Sequence, residues 1–76
     1  MENVNNTGIN IKCFYKVPRG FGLPFAGRWL KAIGHRLNCV EFVAAGGTVA
    51  SLDNESAELL ARNADATRLT SPQAFH

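Results

Sequence analysis

The chain has 76 residues, a formal net charge of +2, 46% hydrophobic residues and 18% charged residues. That length holds one domain near the small end of what folds alone, and is too short for a full doubly wound nucleotide-binding domain. A net charge of +2 does not by itself imply a nucleic-acid partner.

Residues 1–8 form a polar, Asn-rich arm that is expected to be disordered unless something holds it. The start, Met1 to Asn6, lacks the apolar core of a secretory signal. Nowhere does an apolar run approach the roughly 18 residues of a membrane span. The expectation is a cytosolic protein, no membrane partner, and free thiols at Cys13 and Cys39 acting as small hydrophobes.

Residues 9–17 read as a strand. Ile9, Ile11, Cys13, Tyr15 and Val17 share one face; Asn10, Lys12, Phe14 and Lys16 share the other. Residues 17–29, Val-Pro-Arg-Gly-Phe-Gly-Leu-Pro-Phe-Ala-Gly-Arg-Trp, follow. Their three Gly and two Pro break regular structure, yet their three aromatics and Leu23 are more apolar than a solvated loop. Such a segment has to be covered, either by its own domain or by another chain.

Residues 25–37 carry two patterns. Phe25, Trp29, Ile33 and Leu37 recur every four residues, and Pro24 suits a first helical position, which favours a helix. Gly27 and Gly34 oppose it, at about 1 kcal/mol each in a helix interior. The alternative strand sets Trp29, Lys31 and Ile33 against Arg28, Leu30 and Ala32. Periodicity gives the edge to the helix.

Residues 38–44 read as a strand with Val40, Phe42 and Ala44 on one face. Gly46-Gly47 marks a turn, and Thr48 to Leu52 a short return strand. Residues 54–64 are the best helix. Asp53 is placed as N-cap, Glu55 and Glu58 lie near the positive end of the dipole, and Arg62 near the negative end. Ala57, Leu60, Ala61 and Ala64 make a narrow apolar stripe with Leu59 at its edge, suited to close packing on a sheet. Thr67 to Thr70 form a short last strand, Pro72 ends it, and residues 71–76 are a tail carrying Phe75.

Charge is distributed unevenly. Lys12, Lys16, Arg19, Arg28, Lys31 and Arg36 run without an intervening acid, while Glu41, Asp53, Glu55, Glu58 and Asp65 follow. A basic half and a mildly acidic half suit phosphate steering, or head-to-tail pairing of subunits, or a plainly solvated face. The low charged fraction, against roughly 25% in ordinary soluble domains, tilts toward surface buried in an assembly. Seven Gly together with Asn, Thr and Ser supply polar surface in its place.

Motifs for chemistry are weak. Gly20-Phe21-Gly22 lacks the third Gly of a dinucleotide loop, since Phe25 stands there. His35 and Cys39, with distant Cys13 or His76, do not make the paired spacings of a zinc site. No oxyanion hole or orienting acid accompanies a Cys-His pair, and no carboxylate pair sits in an apolar setting. The expectation is no catalytic residue, no cofactor and no metal. Lys12-Cys13-Phe14-Tyr15-Lys16, with Arg19, Phe21, Arg28 and Trp29, interleaves cations and aromatics in the manner of a base-stacking surface.

Over residues 9–70 the order of elements resembles the small N-terminal domain of the FluMu-type proteins of Mu-like phages. Trp29-Leu30-Lys31-Ala32-Ile33-Gly34 stands for the family's aromatic, basic and Ala-Gly stretch. The capped helix from Asp53 to Asp65 and the Leu69 strand stand for its second half. Ile33 separates Ala32 from Gly34, and Ala66 occupies the place of the usual Pro. The resemblance implies that residues 28–34 are a strand, against the periodicity. It also implies a small virion or head-assembly component.

These readings converge on one α+β domain over residues 9–70, a small, mainly antiparallel sheet with one helix packed on it. The expected function is a non-enzymatic phage structural protein, a minor capsid, cementing or head-assembly subunit. It would reside in the host cytoplasm and then in the virion. Phe21, Leu23, Phe25, Trp29 and Phe75 are the expected interface to other copies of the chain or to a major capsid protein. Lys12, Lys16, Arg19, Arg28, Lys31 and Arg36 are the expected electrostatic contacts. The alternatives are a small inhibitor of a host protein, of the anti-CRISPR kind, and a small nucleic-acid-binding module.

Overall fold

The computed structural model describes residues 7–21 and 25–75. Its chain order is β1 (Phe14–Lys16), β2 (Trp29–His35), β3 (Cys39–Ala44), β4 (Val49–Asp53), α1 (Asn54–Asn63) and β5 (Thr67–Arg68). Short 3-10 turns occupy Arg19–Phe21 and Gln73–Phe75. The five strands form one antiparallel sheet in the order β4-β3-β2-β1-β5. This is the expected α+β architecture.

Connectivity follows from strand direction. β2, β3 and β4 are joined by hairpins, so each reverses its predecessor. β4 and β5 run the same way at opposite edges, so the link between them must cross the sheet. α1 is that link. Its ten residues span about 15 Å, close to the ~19 Å that separates the outer strands at ~4.8 Å spacing.

The helix begins as the sequence dictates. The Asp53 carboxylate accepts from the Ser56 N–H at 2.9 Å. That bond favours the charged form and holds the Asp53 carboxyl below the usual carboxylate range. Ala57 and Leu60 are fully buried, Ala61 and Ala64 pack beside them, and Leu59 stays largely outside. Opposite them lie Tyr15, Leu30, Ala32, Val40, Phe42, Ala44 and Leu52, the alternate residues of four strands. Tyr15 meets Phe42 edge to face, with ring centroids 6.5 Å apart. Its hydroxyl accepts from the Asn10 N–H at 2.7 Å, while burial pushes the phenol pKa up.

Two expectations are corrected. Residues 25–37 are not a helix. Residues 25–28 form a turn in which Gly27 has φ +79°, and residues 29–35 are β2. The register shifts between Ala32 and Gly34, which makes Ile33 the extra residue of a bulge. The first strand is also shorter than residues 9–17. Lys12 takes φ +77° in a turn closed by Cys13 N–H to the Asn10 carbonyl at 3.3 Å. The expected apolar face survives this break: Ile9, Cys13, Tyr15 and Val17 are all buried.

Both ends of the described chain belong to the fold. Thr7 is buried, its Oγ1 accepts from the Ile9 N–H at 3.2 Å, and Gly8 (φ +84°) lies against Ala61. Phe75 sits edge-on to Phe14, centroids 4.8 Å apart, on the sheet face opposite the helix. Residues 1–6 of the arm lie outside the described residues.

Candidate interaction surface

The face of the sheet opposite α1 carries the other row of side chains. Register sets Lys16 beside Trp29, and Phe14 between Lys31 and Arg68. The Lys31 ammonium lies 5.6 Å from the Phe14 ring centroid. Phe14, at 5% exposure, is covered by Phe75 and does not offer a free ring. Trp29 is half-buried. Lys16, Trp29, Lys31 and Arg68 thus form a basic patch around one accessible aromatic.

Pairing of charges separates the basic residues. Arg36 Nε reaches Glu41 Oε2 at 3.0 Å, and Arg62 reaches Glu58 at 3.0 Å. Lys12, Lys16, Arg19, Arg28, Lys31 and Arg68 make no ion pair among the described residues. Of the six expected electrostatic contacts, five therefore remain available, and Arg36 is engaged within its own hairpin.

The expected aromatic interface is largely turned inward. Phe21 and Phe25 pack against the core from the segment between β1 and β2, and Phe75 covers Phe14. Leu23 lies outside the described residues. Phe21 also lines a shallow groove of about 350 Å³ with Pro18, Gly20, Leu59 and Asn63. The covering that this segment requires is thus supplied in large part by its own domain.

The exposed apolar side chains are others. Leu37 is 89% exposed, Leu69 78%, Val49 59%, Leu59 45% and Ile33 42%. Two of these lie toward one end of β2. Ile33 is the bulge residue near the end of β2, and Leu37 sits in the hairpin that follows. Leu69 succeeds Arg68, which pairs with Phe14 and through it with Lys31, so it lies about level with Ala32, two strands over from β2. Periodicity misses this group because it places Ile33 and Leu37 on a helical stripe and Leu69 in a strand.

No family model, curated protein or solved structure matches the chain. Among the described residues, no group of three or more His, Cys, Asp and Glu could hold a metal ion. His35 and Cys39 are separated by the sheet: register sets His35 opposite the buried Val40, and Cys39 opposite Asp53 on the other face. The His35 Nε2 donates to the Ile9 carbonyl at 3.2 Å. No described helix is long and apolar enough to cross a membrane.

Proposed function

We propose that the protein is a non-enzymatic structural subunit of a phage head, a minor capsid, cementing or assembly component. It works by contact with other copies of itself and with a major capsid protein, first in the host cytoplasm and then in the virion. The observation that carries the subunit reading is the set of large aliphatic side chains left in solvent, Ile33 and Leu37 toward the end of β2 and Leu69 beyond β5. Exposed apolar side chains that flank His35 and Arg36 in sequence suit burial against a protein partner. The phage setting rests on the resemblance to the FluMu-type domain. Light scattering across a dilution series, and co-sedimentation with capsid shells, test this reading. Leu37→Ser with Leu69→Ser is expected to weaken shell binding about tenfold, or 1.4 kcal/mol. A chain that neither self-associates nor enters a shell overturns it.

The basic patch favours a second reading, a single-stranded nucleic-acid binder that stacks a base on Trp29 between Lys16 and Lys31. That reading requires affinity for an oligonucleotide that falls steeply with salt. Lys16→Glu with Lys31→Glu would abolish such binding.

A further inference from the structure

We infer that β4 pairs edge to edge with β4 of a second copy of this chain, antiparallel, about a two-fold axis at Ser51. The inference rests on the subunit reading above and names the surface that joins two copies.

The backbone supplies the first argument. Ala44 N–H donates to the Thr48 carbonyl at 2.7 Å, and Asn54 N–H to the Asn38 carbonyl at 3.2 Å. Antiparallel alternation between these bonds makes Phe42↔Ala50 and Val40↔Leu52 the hydrogen-bonded pairs of the hairpin. The N–H and carbonyl groups of Val49 and Ser51, and the Asp53 N–H, therefore point away from β3. Among the described residues no strand lies beyond β4, and these outward groups have no partner.

The two edges of the sheet differ. β5 is two residues long and bears Arg68. The neighbouring edge of β1 is closed by Lys16 N–H to the Ala66 carbonyl and Asp65 N–H to the Lys16 carbonyl, each at 3.1 Å. β4, Val-Ala-Ser-Leu-Asp, has no Lys, Arg or Pro and pairs with β3 without a bulge. Apart from Asp53, which caps α1, β4 carries none of the usual devices that blunt an edge, whereas β5 is both short and basic. With a single long edge among the described residues, association through it closes at a dimer and does not propagate.

The strand is also complementary to itself. With Ser51 facing Ser51, Val49 of each copy faces Asp53 of the other, so outward groups meet outward groups. Ser51 N–H to Ser51 carbonyl forms twice, and Asp53 N–H to Val49 carbonyl twice. On the helix side Ala50 meets Leu52, extending the buried row. The two Asp53 carboxylates lie ~14 Å apart along the strands, beyond the ~8–10 Å Debye length, so they do not oppose the pairing.

Two variants leave the hairpin intact, because the Ser51 N–H does not serve β3. Ser51→Pro removes an outward donor, and Ser51→Lys places a cation on the axis. Light scattering of the full chain across a dilution series is expected to show a wild-type dimer whose dissociation constant rises at least about tenfold in each variant. In a Cys39→Ser background, Ser51→Cys is expected to yield a disulfide-linked dimer on mild oxidation. The Cα separation of ~5.5 Å in a hydrogen-bonded pair falls within disulfide range. A wild-type dimer indifferent to both variants and without the cross-link overturns the β4 pairing and leaves the subunit reading standing. A chain monomeric throughout overturns the pairing as well; shell binding by that monomer would then keep the subunit reading alone.

Discussion

Removing Phe75 tests whether residues 71–75 hold the sheet together or merely follow it. Phe75 lies half-buried on the face opposite α1, edge-on to Phe14 at 4.8 Å. Phe75→Ala withdraws roughly 100 Å² of apolar contact, about 2.5 kcal/mol at 25 cal/mol/Å². The aromatic pair adds about 0.5–1.5 kcal/mol. Residues 71–75 regain conformational freedom once released, which offsets part of this. The expected loss is about 2–3 kcal/mol, a large share of the ~4–11 kcal/mol typical of a domain this size. Urea unfolding followed by far-UV circular dichroism reads it as a lowered midpoint, and heating as a Tm lower by roughly 10–20 °C. A Phe14→Leu, Phe75→Leu double-mutant cycle is expected to show about 1 kcal/mol of coupling. A Phe75→Ala loss within about 0.5 kcal/mol, or a cycle with no coupling, refutes the argument and makes the residues after β5 an appendage.

Gly47 has φ +94°, and a Cβ added there would stand in open space. Gly47→Ala is therefore expected to cost about 1–2 kcal/mol of backbone strain alone; an unchanged urea midpoint would mean the β3–β4 turn relaxes. The Asp53 carboxyl is held low by its bond to Ser56, so the stability it contributes is present above the unfolded pKa and lost as pH falls through the folded one. Below about pH 4 the wild type should lose more stability than Asp53→Asn, and parallel acid limbs in urea titrations would count against that cap. Burial raises the Tyr15 phenol, so stability should fall as pH rises past about 10. Tyr15→Phe should flatten this alkaline limb, and a limb of unchanged slope would assign the loss to other groups.

What can be read from the sequence is whatever a single local rule decides. The cap at Asp53, the Ala57/Leu60/Ala61/Ala64 stripe and the Val40/Phe42/Ala44 alternation each rest on such a rule, and each is found in place. Residues 25–37 mislead because four large residues fall at helical spacing for four unrelated reasons. Phe25 packs on the core from a turn, Trp29 lies on the far face, Ile33 is a bulge residue and Leu37 tips a hairpin. The true alternation runs through Leu30 and Ala32, and the small Ala32 carries little signal. Gly27 and Gly34, which count against a helix, mark the turn before β2 and the far side of its bulge. The turn at Lys12 is hidden because Lys is seldom found at positive φ.

Sequence does not separate a covering aromatic from a partner-facing one, for a related reason. Weighing side chains by size makes Phe21, Phe25 and Phe75 partner-facing. A sheet with one ten-residue helix has much of its area left to cover, and the largest side chains are the ones best able to cover it. Phe75 takes the far face, while Phe21 and Phe25 close the side. The most exposed large apolar side chains are instead aliphatic and sit at a turn or a strand end: Leu37, Leu69, Val49. Such side chains bring little directional chemistry, so specificity at these sites has to come from register, which backbone hydrogen bonds provide. Of the strands with an open side, β4 has the length to supply that register. A dimer joined there would leave the Leu37 end and the Lys16–Trp29–Lys31 patch of both copies free for a second partner.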